Sequence, residues 1–479
     1  MLQQLDEGRL QELAPVFYPE SIAVVGASSR ADSIGSLWVQ GLISSGFRGR
    51  VYPVHPQGGQ VDGLAVCASL GEVPGPVDLV IVCVPRGSVL DIMDDCAAKG
   101  IKAVYFFTAG FSESGEVGWD VVEREMVRRA RDGGFRIIGP NCFGVYSPEQ
   151  GIPYGPFGVM AGLGSVGFLS QSSGHMGKLL EYALVHSLGI SKGISLGNGS
   201  DLGVADFLEY LALDPRTLVI GAYLEGPRDS RRLFEVTRLA SARKPVVVWK
   251  GGRSQSGARS AFSHTGALAA SSLVWSGALK QAGAIEVSGF DEMADTLLLF
   301  EKVGRLEGSN VGVVCGITDG GGGEAVLTCD AFADLGMDVP VLDTVTNAEV
   351  LSLVGQVGSV LGNPVDMSQR QRDPEALRRA MELVAGVPAI DILVVFQNAG
   401  VIFDEFAEET LDALNDTIVD FSRQHAKPVL AVLQPGTAES RRMKVQRRLS
   451  EGGVPVFPSV ERLAKAVRNV SRYSGPEHV

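Results

Sequence analysis

The sequence predicts an α/β protein built from three doubly wound domains in tandem. Short runs of mostly β-branched, apolar residues recur along the chain, each followed by a Gly- or Pro-bearing turn, and helical patterns separate them. This alternation is typical of βαβ units, and uninterrupted apolar strands are typical of parallel sheets covered by helices on both faces. At 479 residues the chain is too long for one core and allows about three domains.

The first series of runs predicts a domain over residues 1–150. Helical patterns at 89–100 and 121–134 separate some of its strands. The strands are predicted within the runs 21–29, 50–56, 78–85, 103–111 and 136–144. A stretch rich in Gly and Pro, residues 151–164, then interrupts the alternation and predicts a domain boundary.

Two further series predict domains over residues 151–300 and 305–475. Strands of the second domain are predicted within 165–173, 189–199, 217–226 and 244–252. Strands of the third are predicted within 311–323, 392–400 and 427–436. The chain has no short repeat period, so a solenoid is excluded.

Composition and charge narrow the class of protein. Hydrophobic residues make up 45% of the chain and charged residues 20%, as expected for a globular protein. The net charge of −13 argues against nucleic-acid and anionic-membrane partners. The polar N-terminus resembles neither a signal peptide nor a membrane anchor. Six scattered cysteines without a C-x-x-C pair predict reduced thiols, a cytoplasmic location and no protein-bound metal.

The first strand ends in a turn of small residues, VVGASSRADSIG, that leads into a helix. Free N–H groups near Gly26 and Ser28 and the positive end of the helix dipole would attract a phosphate. An NAD site requires G-x-G-x-x-G and an acidic residue after the second strand, but that strand ends in His55 and Pro56. NAD is therefore disfavoured. Two interpretations of this turn stay open: a site for a different phosphorylated nucleotide, and a tight strand–helix turn without a ligand.

A second turn of this kind lies in GFLSQSSGHMGKLLEYA, residues 167–183. The polar residues that precede the helix, which is expected to begin near Gly174, are Ser170, Gln171, Ser172 and Ser173. Hydroxyls and helix N-terminal amides together form an anion site suited to a phosphoryl group. The alternative is ordinary N-capping, which one serine would satisfy. His175 is interpreted as structural.

Two further residues have the chemistry of a phosphoryl carrier. Glu225 follows an apolar run and is expected at the C-terminal end of a strand, where a carboxylate could hold one nitrogen of an imidazole. The alternative is a solvated glutamate in a turn. His264 lies among small residues in RSAFSHTGALAA, and no G-x-S-x-G or H-E-x-x-H motif accompanies it. These residues alone leave His264 as a core residue, a proton shuttle or a covalent carrier.

Several motifs resemble landmarks of one family. SHTGALA, residues 263–269, is similar to the phosphohistidine motif of the NDP-forming acyl-CoA synthetases. Further landmarks occur in family order between about residues 15 and 470, among them SIAVVGAS, VDLVIVCVP, TAGFSE, GPNC, FLSQS, SLGN, YLEG, VVVWKGG and GNPVDM. The chain is therefore identified as resembling the α subunits of ADP-forming acetate–CoA ligases, which are relatives of succinyl-CoA synthetase.

The resemblance implies a Rossmann-like CoA-binding domain followed by two flavodoxin-like CoA-ligase domains. It implies that His264 is transiently phosphorylated, that Glu225 supports it, and that the helix start from Ser170 to Gly174 receives the phosphate. Segments lining the CoA site would contain Gly26, Ser28, Val84, Pro85, Asn141 and Cys142.

The chemistry implied by the resemblance is reversible. Phosphate attacks an acyl-CoA thioester to give an acyl phosphate and CoA, His264 takes the phosphoryl group, and ADP receives it. No ATP-grasp domain or Walker loop is found in the chain, so ADP/ATP with Mg²⁺ is expected on a separate ATP-grasp β subunit, in an α2β2 assembly. Ser173 and Asp319 depart from the family pattern, which more often has Gly and Asn there.

Two other functions remain to be compared with this one. A non-catalytic CoA- or acyl-CoA-binding regulatory protein could have the same fold, but such a sensor needs neither His264 nor Glu225. A dinucleotide-dependent oxidoreductase is disfavoured by the missing fingerprint. The sequence does not indicate which acid is the substrate, nor ADP over GDP.

Overall fold

The computed structural model describes residues 4–226, 228–257, 259, 272–316, 321–355, 362–397, 407–436, 438–473 and 475. The chain forms two compact units. The first contains Met1–Ala183 and Gly189–Phe290, and the second contains Leu184–Leu188 and Asp291–Ser474. The described residues form two large sheets and one two-stranded hairpin in the first unit and one large sheet in the second, so the three predicted α/β series are confirmed.

The first sheet is parallel throughout, with the strand order β2-β1-β5-β6-β7. Each predicted run contains one of its strands, and β3 and β4 form a separate antiparallel hairpin. The strands are β1 (Ser21–Val25), β2 (Arg50–Val54), β3 (Gln60–Val61), β4 (Leu64–Ala65), β5 (Leu79–Val82), β6 (Ala103–Phe106) and β7 (Arg136–Ile138). The chain continues from β1 to β2 on one side of it and later places β5 on its other side. The C-terminal end of β1 is therefore the topological switch point, where doubly wound sheets bind ligands.

Helices α1 (Gly8–Glu12) and α2 (Ala14–Phe17) precede β1. The helices between the strands are α3 (Ile34–Ser44), α4 (Val89–Lys99) and α5 (Trp119–Gly133). The helix α3 begins at Ile34 because the Ser33 hydroxyl accepts a hydrogen bond from the Ser36 N–H. Short 3₁₀ helices lie at Leu70–Glu72, Arg86–Ser88, Ser112–Ser114 and Pro148–Gln150.

The second sheet has the order β13-β12-β11-β9-β10-β8, and β8 is antiparallel to β10 while the other pairs are parallel. Its strands are β8 (Gly144–Tyr146), β9 (Leu163–Ser170), β10 (Ile190–Ser195), β11 (Val219–Leu224), β12 (Val246–Lys250) and β13 (Ile285–Val287). The connecting helices are α6 (Ser173–His186), α7 (Val204–Leu213), α8 (Ser230–Ser241) and α9 (Ser272–Gln281). The switch point of this sheet lies at β9, between β10 and β11.

The third sheet is parallel, with the order β15-β14-β16-β17-β18. Its strands are β14 (Val311–Cys315), β15 (Val365–Asp366), β16 (Ile392–Gln397), β17 (Val429–Leu433) and β18 (Val456–Phe457). The helices from this part of the chain are α10 (Phe290–Val303), α11 (Gly321–Ala333), α12 (Thr344–Val354), α13 (Pro374–Ala385), α14 (Glu408–Gln424), α15 (Glu439–Glu451) and α16 (Val460–Ser471).

The core of the first unit extends across both of its sheets. One buried cluster includes Ile22 of β1 and Leu169 of β9. Phe17 at the end of α2 stacks on Tyr210 of α7, with ring centroids 4.3 Å apart. Each large apolar side chain buried in this way contributes about 1.5–3 kcal/mol. The second unit has its own apolar cluster around β14, β16 and β17.

The exact domain boundaries near residues 150 and 300–305 stay predictions. Strand β8 lies before residue 150, yet it pairs in the second sheet. In the part of the chain that the structure describes, no helix combines the length and the apolarity that crossing a bilayer requires.

Candidate functional site

A serine turn follows β9 at the switch point of the second sheet. The Ser170 hydroxyl donates to the Ser172 carbonyl at 2.7 Å and accepts the Ser172 N–H at 3.1 Å, and Ser170 is fully buried. Helix α6 begins directly after this turn, at Ser173, one residue before the predicted Gly174. The turn brings the N-terminal amides of α6, the positive end of its dipole, to the C-terminal edge of the sheet.

Contacts with neighbouring strands hold the first turn of α6. The Ser173 hydroxyl lies 2.8 Å from the Ser195 hydroxyl at the end of β10, which also accepts the Phe143 N–H at 3.2 Å. The Tyr154 hydroxyl donates to the Ser173 carbonyl at 2.5 Å. Ser173 therefore links the helix start to two other elements.

Gln171 connects the serine turn to β11. Its side-chain oxygen accepts the N–H groups of Glu225 and Gly226 at 2.7 and 3.1 Å, and its amide nitrogen donates to the Gly226 carbonyl at 3.0 Å. Sequence reasoning placed Gln171 only among phosphate-binding residues and missed this contact. Phosphate binding by Gln171 stays a prediction, and its observed contacts fix the backbone at Glu225.

Glu225 follows β11 at the C-terminal edge of the sheet. Its residue is 5% exposed, so the alternative of a solvated turn glutamate is wrong. The Tyr223 hydroxyl donates to Glu225 Oε1 at 3.0 Å, and the Lys250 ammonium donates to the Glu225 carbonyl at 2.8 Å. The structure therefore brings a buried carboxylate to the strand next to the serine turn.

Sequence reasoning missed the side chains that surround Glu225. Burial lowers the pKa of Lys250, and the Glu225 carboxylate opposes that shift. Tyr223 and Trp249 lie on neighbouring strands with ring centroids 4.5 Å apart. The His175 ring, predicted to be structural, packs 4.3 Å from the Tyr223 ring and 4.5 Å from the Trp249 ring. Alternation along β11, which puts residues 223 and 225 on one face, is the signal that could have indicated Tyr223.

His264 lies outside the described residues, and so does Asp319. The role of His264 as phosphoryl carrier therefore stays a prediction. The described chain stops at residue 259 and resumes at Ser272, the first residue of α9.

A second candidate site lies at the switch point of the first sheet. Gly26, directly after β1, has a φ of +100°, and a Cβ there would lie 2.4 Å from the Cys83 carbonyl oxygen. The Ser28 hydroxyl donates to the Ser33 hydroxyl at 3.2 Å. Because Ser33 caps α3, the turn from Gly26 leads to the N-terminus of that helix, whose amides and dipole suit an anion.

The neighbouring strand ends complete this edge. The Thr108 hydroxyl donates to the Val84 carbonyl at 2.7 Å, and the Asn141 N–H donates to the Thr108 carbonyl at 3.0 Å. Val84, Pro85 and Asn141 therefore follow strands β5 and β7 at the same edge as Gly26. Burial raises the pKa of the Cys142 thiol to about 12, and Cys142 is 2% exposed, so its side chain is a packing group.

Gly26→Ala is expected to lower the free energy of unfolding by about 2–4 kcal/mol, because it adds both backbone strain and a backbone clash. Gly58→Ala is the matched control, since Gly58 has a φ of +61° but no atom within 4 Å of the added Cβ. Its expected loss is about 1–2 kcal/mol. Urea denaturation of the full chain measures both. Equal losses would contradict the close approach of Cys83.

Among the described residues, no group of three His, Cys, Asp or Glu side chains could hold a metal ion. The six cysteines are all unbridged.

Comparison with known proteins gives concordant matches. Residues 20–148 match a family model described as a CoA binding domain, and residues 163–300 match one described as a succinyl-CoA ligase like flavodoxin domain. The chain is 36% identical to the alpha subunit of acetate–CoA ligase [ADP-forming] II of Pyrococcus furiosus over 94% of this chain and 95% of that protein. It is 32% identical to the alpha subunit of acetate–CoA ligase [ADP-forming] I of the same organism, over 96% and 98%.

A solved structure shows the same fold. It is the acetyl-coenzyme A synthetase 1 of Ca. Korarchaeum cryptofilum in complex with phosphate and ADP. The TM-score is 0.85 at 31% identity, and the match covers 96% of this chain and 97% of that one.

Proposed function

This chain belongs to the family of α subunits of ADP-forming acetate–CoA ligases, and from that premise we propose that it carries the phosphoryl group in an ADP-forming acyl-CoA synthetase. One observation supports the proposal most strongly. The Glu225 carboxylate is buried at the strand next to the serine turn and the start of α6. A carboxylate beside an anion-binding helix start suits an imidazole that accepts and releases a phosphoryl group.

The first step joins phosphate to the acyl group. A phosphate oxygen attacks the thioester carbon, the C–S bond breaks, and the products are an acyl phosphate and CoA. We assign the phosphates of CoA to the turn from Gly26 through Ser28, because the N-terminus of α3 is presented there. The strand ends that carry Val84, Pro85 and Asn141 would line the rest of the CoA site, with Cys142 packed behind them.

The second step transfers the phosphoryl group to His264. A neutral imidazole nitrogen attacks phosphorus, an N–P bond forms, and the P–O bond to the acyl group breaks to release the acid as its carboxylate. Glu225 would accept the N–H of the other ring nitrogen, which fixes the tautomer and stabilises the charge that develops on the ring. The start of α6, with Ser170, Ser172, Ser173 and Gly174, would hold the phosphoryl oxygens.

The third step passes the phosphoryl group from His264 to ADP. We propose that ADP lies on a separate ATP-grasp β subunit, and that the assembly is α2β2. The names of the relatives, which are alpha subunits, support a partner. Mg²⁺ bound with the nucleotide would neutralise the phosphate charge. A cytoplasmic location belongs to the same proposal, because CoA and ADP are available there.

The competing function is a CoA- or acyl-CoA-binding regulatory protein. Such a protein would need the first switch point but not a buried carboxylate at the second. The arrangement of Glu225 with Gln171, Tyr223 and Lys250 therefore favours the enzyme.

Turnover of a panel of acyl-CoAs tests the proposal. The full chain, alone and with its β partner, is incubated with ³²P-phosphate and acetyl-, isobutyryl- or benzoyl-CoA. We expect release of CoA with at least one of them, together with protein-bound label that is stable in base and lost in acid, as an N–P bond is. Binding of CoA without either product from any acyl-CoA would support the regulatory protein instead.

A further inference from the structure

We infer that Tyr223 is a positioning residue for the reaction, because its hydroxyl fixes the carboxylate of Glu225 in the orientation that supports the phosphoryl-carrying imidazole. The inference rests on the proposed function. It adds a residue that neither the motifs nor the comparisons assign to the site.

The contact between the two side chains follows from the strand. Side chains alternate between the two faces of a strand, so residues 223 and 225 share one face at the end of β11. The Tyr223 hydroxyl oxygen lies 3.0 Å from Glu225 Oε1. Tyr223 is 7% exposed and Glu225 5% exposed. A hydrogen bond from a hydroxyl to a carboxylate is charge-assisted, and water competes little for it in a buried position.

Tyr223 remains a donor under all ordinary conditions. Burial, and secondarily the neighbouring Glu225 carboxylate, raise the pKa of the Tyr223 phenol well above its usual value. The hydroxyl therefore keeps its proton near neutral pH. Since that proton is directed at Oε1, it restricts the rotation of the carboxylate.

The position of the hydroxyl is itself restricted. A Cβ on Gly251 would lie 2.5 Å from the Tyr223 hydroxyl oxygen, so the small residue after β12 is what admits the hydroxyl. The rings of His175 and Trp249 pack against the Tyr223 ring at centroid distances of 4.3 and 4.5 Å. The ring has no room to swing away from Glu225 without displacing these neighbours.

The backbone of Glu225 is held from two directions as well. Gln171 accepts its N–H, and Lys250 donates to its carbonyl. With the backbone fixed, the remaining freedom of Glu225 is in its side-chain torsions. Tyr223 restricts these torsions by binding Oε1, so the direction of Oε2 is determined too.

A double-mutant cycle between Tyr223→Phe and Glu225→Gln tests the inference. The rate constant for labelling of the full chain and its half-saturation by acyl-CoA are measured with ³²P-phosphate and the acyl-CoA that labels the wild type best. Tyr223→Phe keeps the ring and removes only the hydroxyl. We expect its rate constant to fall about 10- to 50-fold, as for loss of a hydrogen bond to a charged group, with unchanged half-saturation. In the Glu225→Gln variant, Tyr223→Phe should lower the rate constant for labelling by less than about 3-fold, because Tyr223 acts through the carboxylate.

Gly251→Ala provides an independent route to the same effect. This substitution retains Tyr223 but displaces its hydroxyl. It should therefore lower the labelling rate when made in the wild-type chain, and lower it less when made in the Tyr223→Phe variant.

Tyr146→Phe is the matched control. It also removes a buried hydroxyl of this unit, one that bonds to the backbone of Ala161. We expect it to leave the labelling rate within about 2-fold, because this hydroxyl does not contact Glu225 or Tyr223 in the described structure.

Two results would overturn the inference: no loss of rate in Tyr223→Phe, or an equal loss with and without Glu225→Gln, as a merely structural role would give. A wild type that acquires no label with any acyl-CoA is a different outcome, because it rejects the proposed function itself.

Discussion

His264→Asn is expected to reduce the base-stable labelling of the chain by at least about 10³-fold. Asparagine is polar and close to histidine in size, but it has no nucleophilic ring nitrogen, so no N–P bond can form. The first step does not use His264. Acyl phosphate should therefore still form from acyl-CoA and phosphate, and hydroxylamine should trap it as a hydroxamate.

His425→Asn is the matched control for that experiment. His425 follows α14 in the second unit, where its ring stacks on Phe421 with ring centroids 4.9 Å apart and its Nδ1 accepts the Lys427 N–H at 3.2 Å. We expect this variant to keep at least about a third of the labelling rate, because packing outside the candidate site is all that is lost. Full labelling of His264→Asn, or abolished labelling of a folded His425→Asn, would contradict the assignment of the carrier.

Glu225→Gln is expected to slow transfer of the phosphoryl group to the chain by about 10²–10³-fold. The amide has the shape of the carboxylate and still offers an oxygen to the Tyr223 hydroxyl, so the fold should persist. What is lost is the negative charge that stabilises an imidazole as it gains positive character. Rapid-quench labelling with ³²P-phosphate measures the rate constant.

Glu235→Gln is the control for the loss of a buried glutamate. Glu235 is 8% exposed in α8 and pairs with Arg231 at 3.6 Å. Its substitution should change the labelling rate by less than about 2-fold, because it leaves the charge and the hydrogen bonds of Glu225 in place. A rate for Glu225→Gln within about 3-fold of the wild type would remove Glu225 from the mechanism.

Most strands could be predicted because parallel strands are continuous apolar runs. The runs around β1, β11, β16 and β17 each contain the expected strand, whereas β9 begins at Leu163, two residues before its predicted run and inside the stretch predicted as a boundary. The strands that sequence reasoning did not identify are short ones at sheet edges. Strands β15 (Val365–Asp366) and β18 (Val456–Phe457) have two residues each. So few residues are too short a stretch to show the alternation or the apolar run that predicts a strand. These strands are recognised only by their pairing with a neighbouring strand.

The residues at strand ends could be predicted for a related physical reason. A parallel sheet places the C-terminal ends of all its strands at one edge, and the sequence therefore predicts that Glu225 and the serine turn lie at the same edge. The contacts of Gln171 and Tyr223 could not be predicted in the same way. Gln171 reaches Glu225 because β9 and β11 are neighbours, and Tyr223 fits because Gly251 follows the next strand, β12. Both facts depend on the strand order, which the sequence does not give.

The location of the bound phosphate tests the central claim most directly. The wild-type chain is labelled with ³²P-phosphate and acyl-CoA, digested at alkaline pH, and the labelled peptide is identified by mass spectrometry. The account predicts one phosphate on the peptide that contains residues 259–270, at His264, lost on mild acid treatment. A phosphate on Ser170, Ser172 or Ser173, or turnover of acyl-CoA to acid without any phosphorylated peptide, would contradict it.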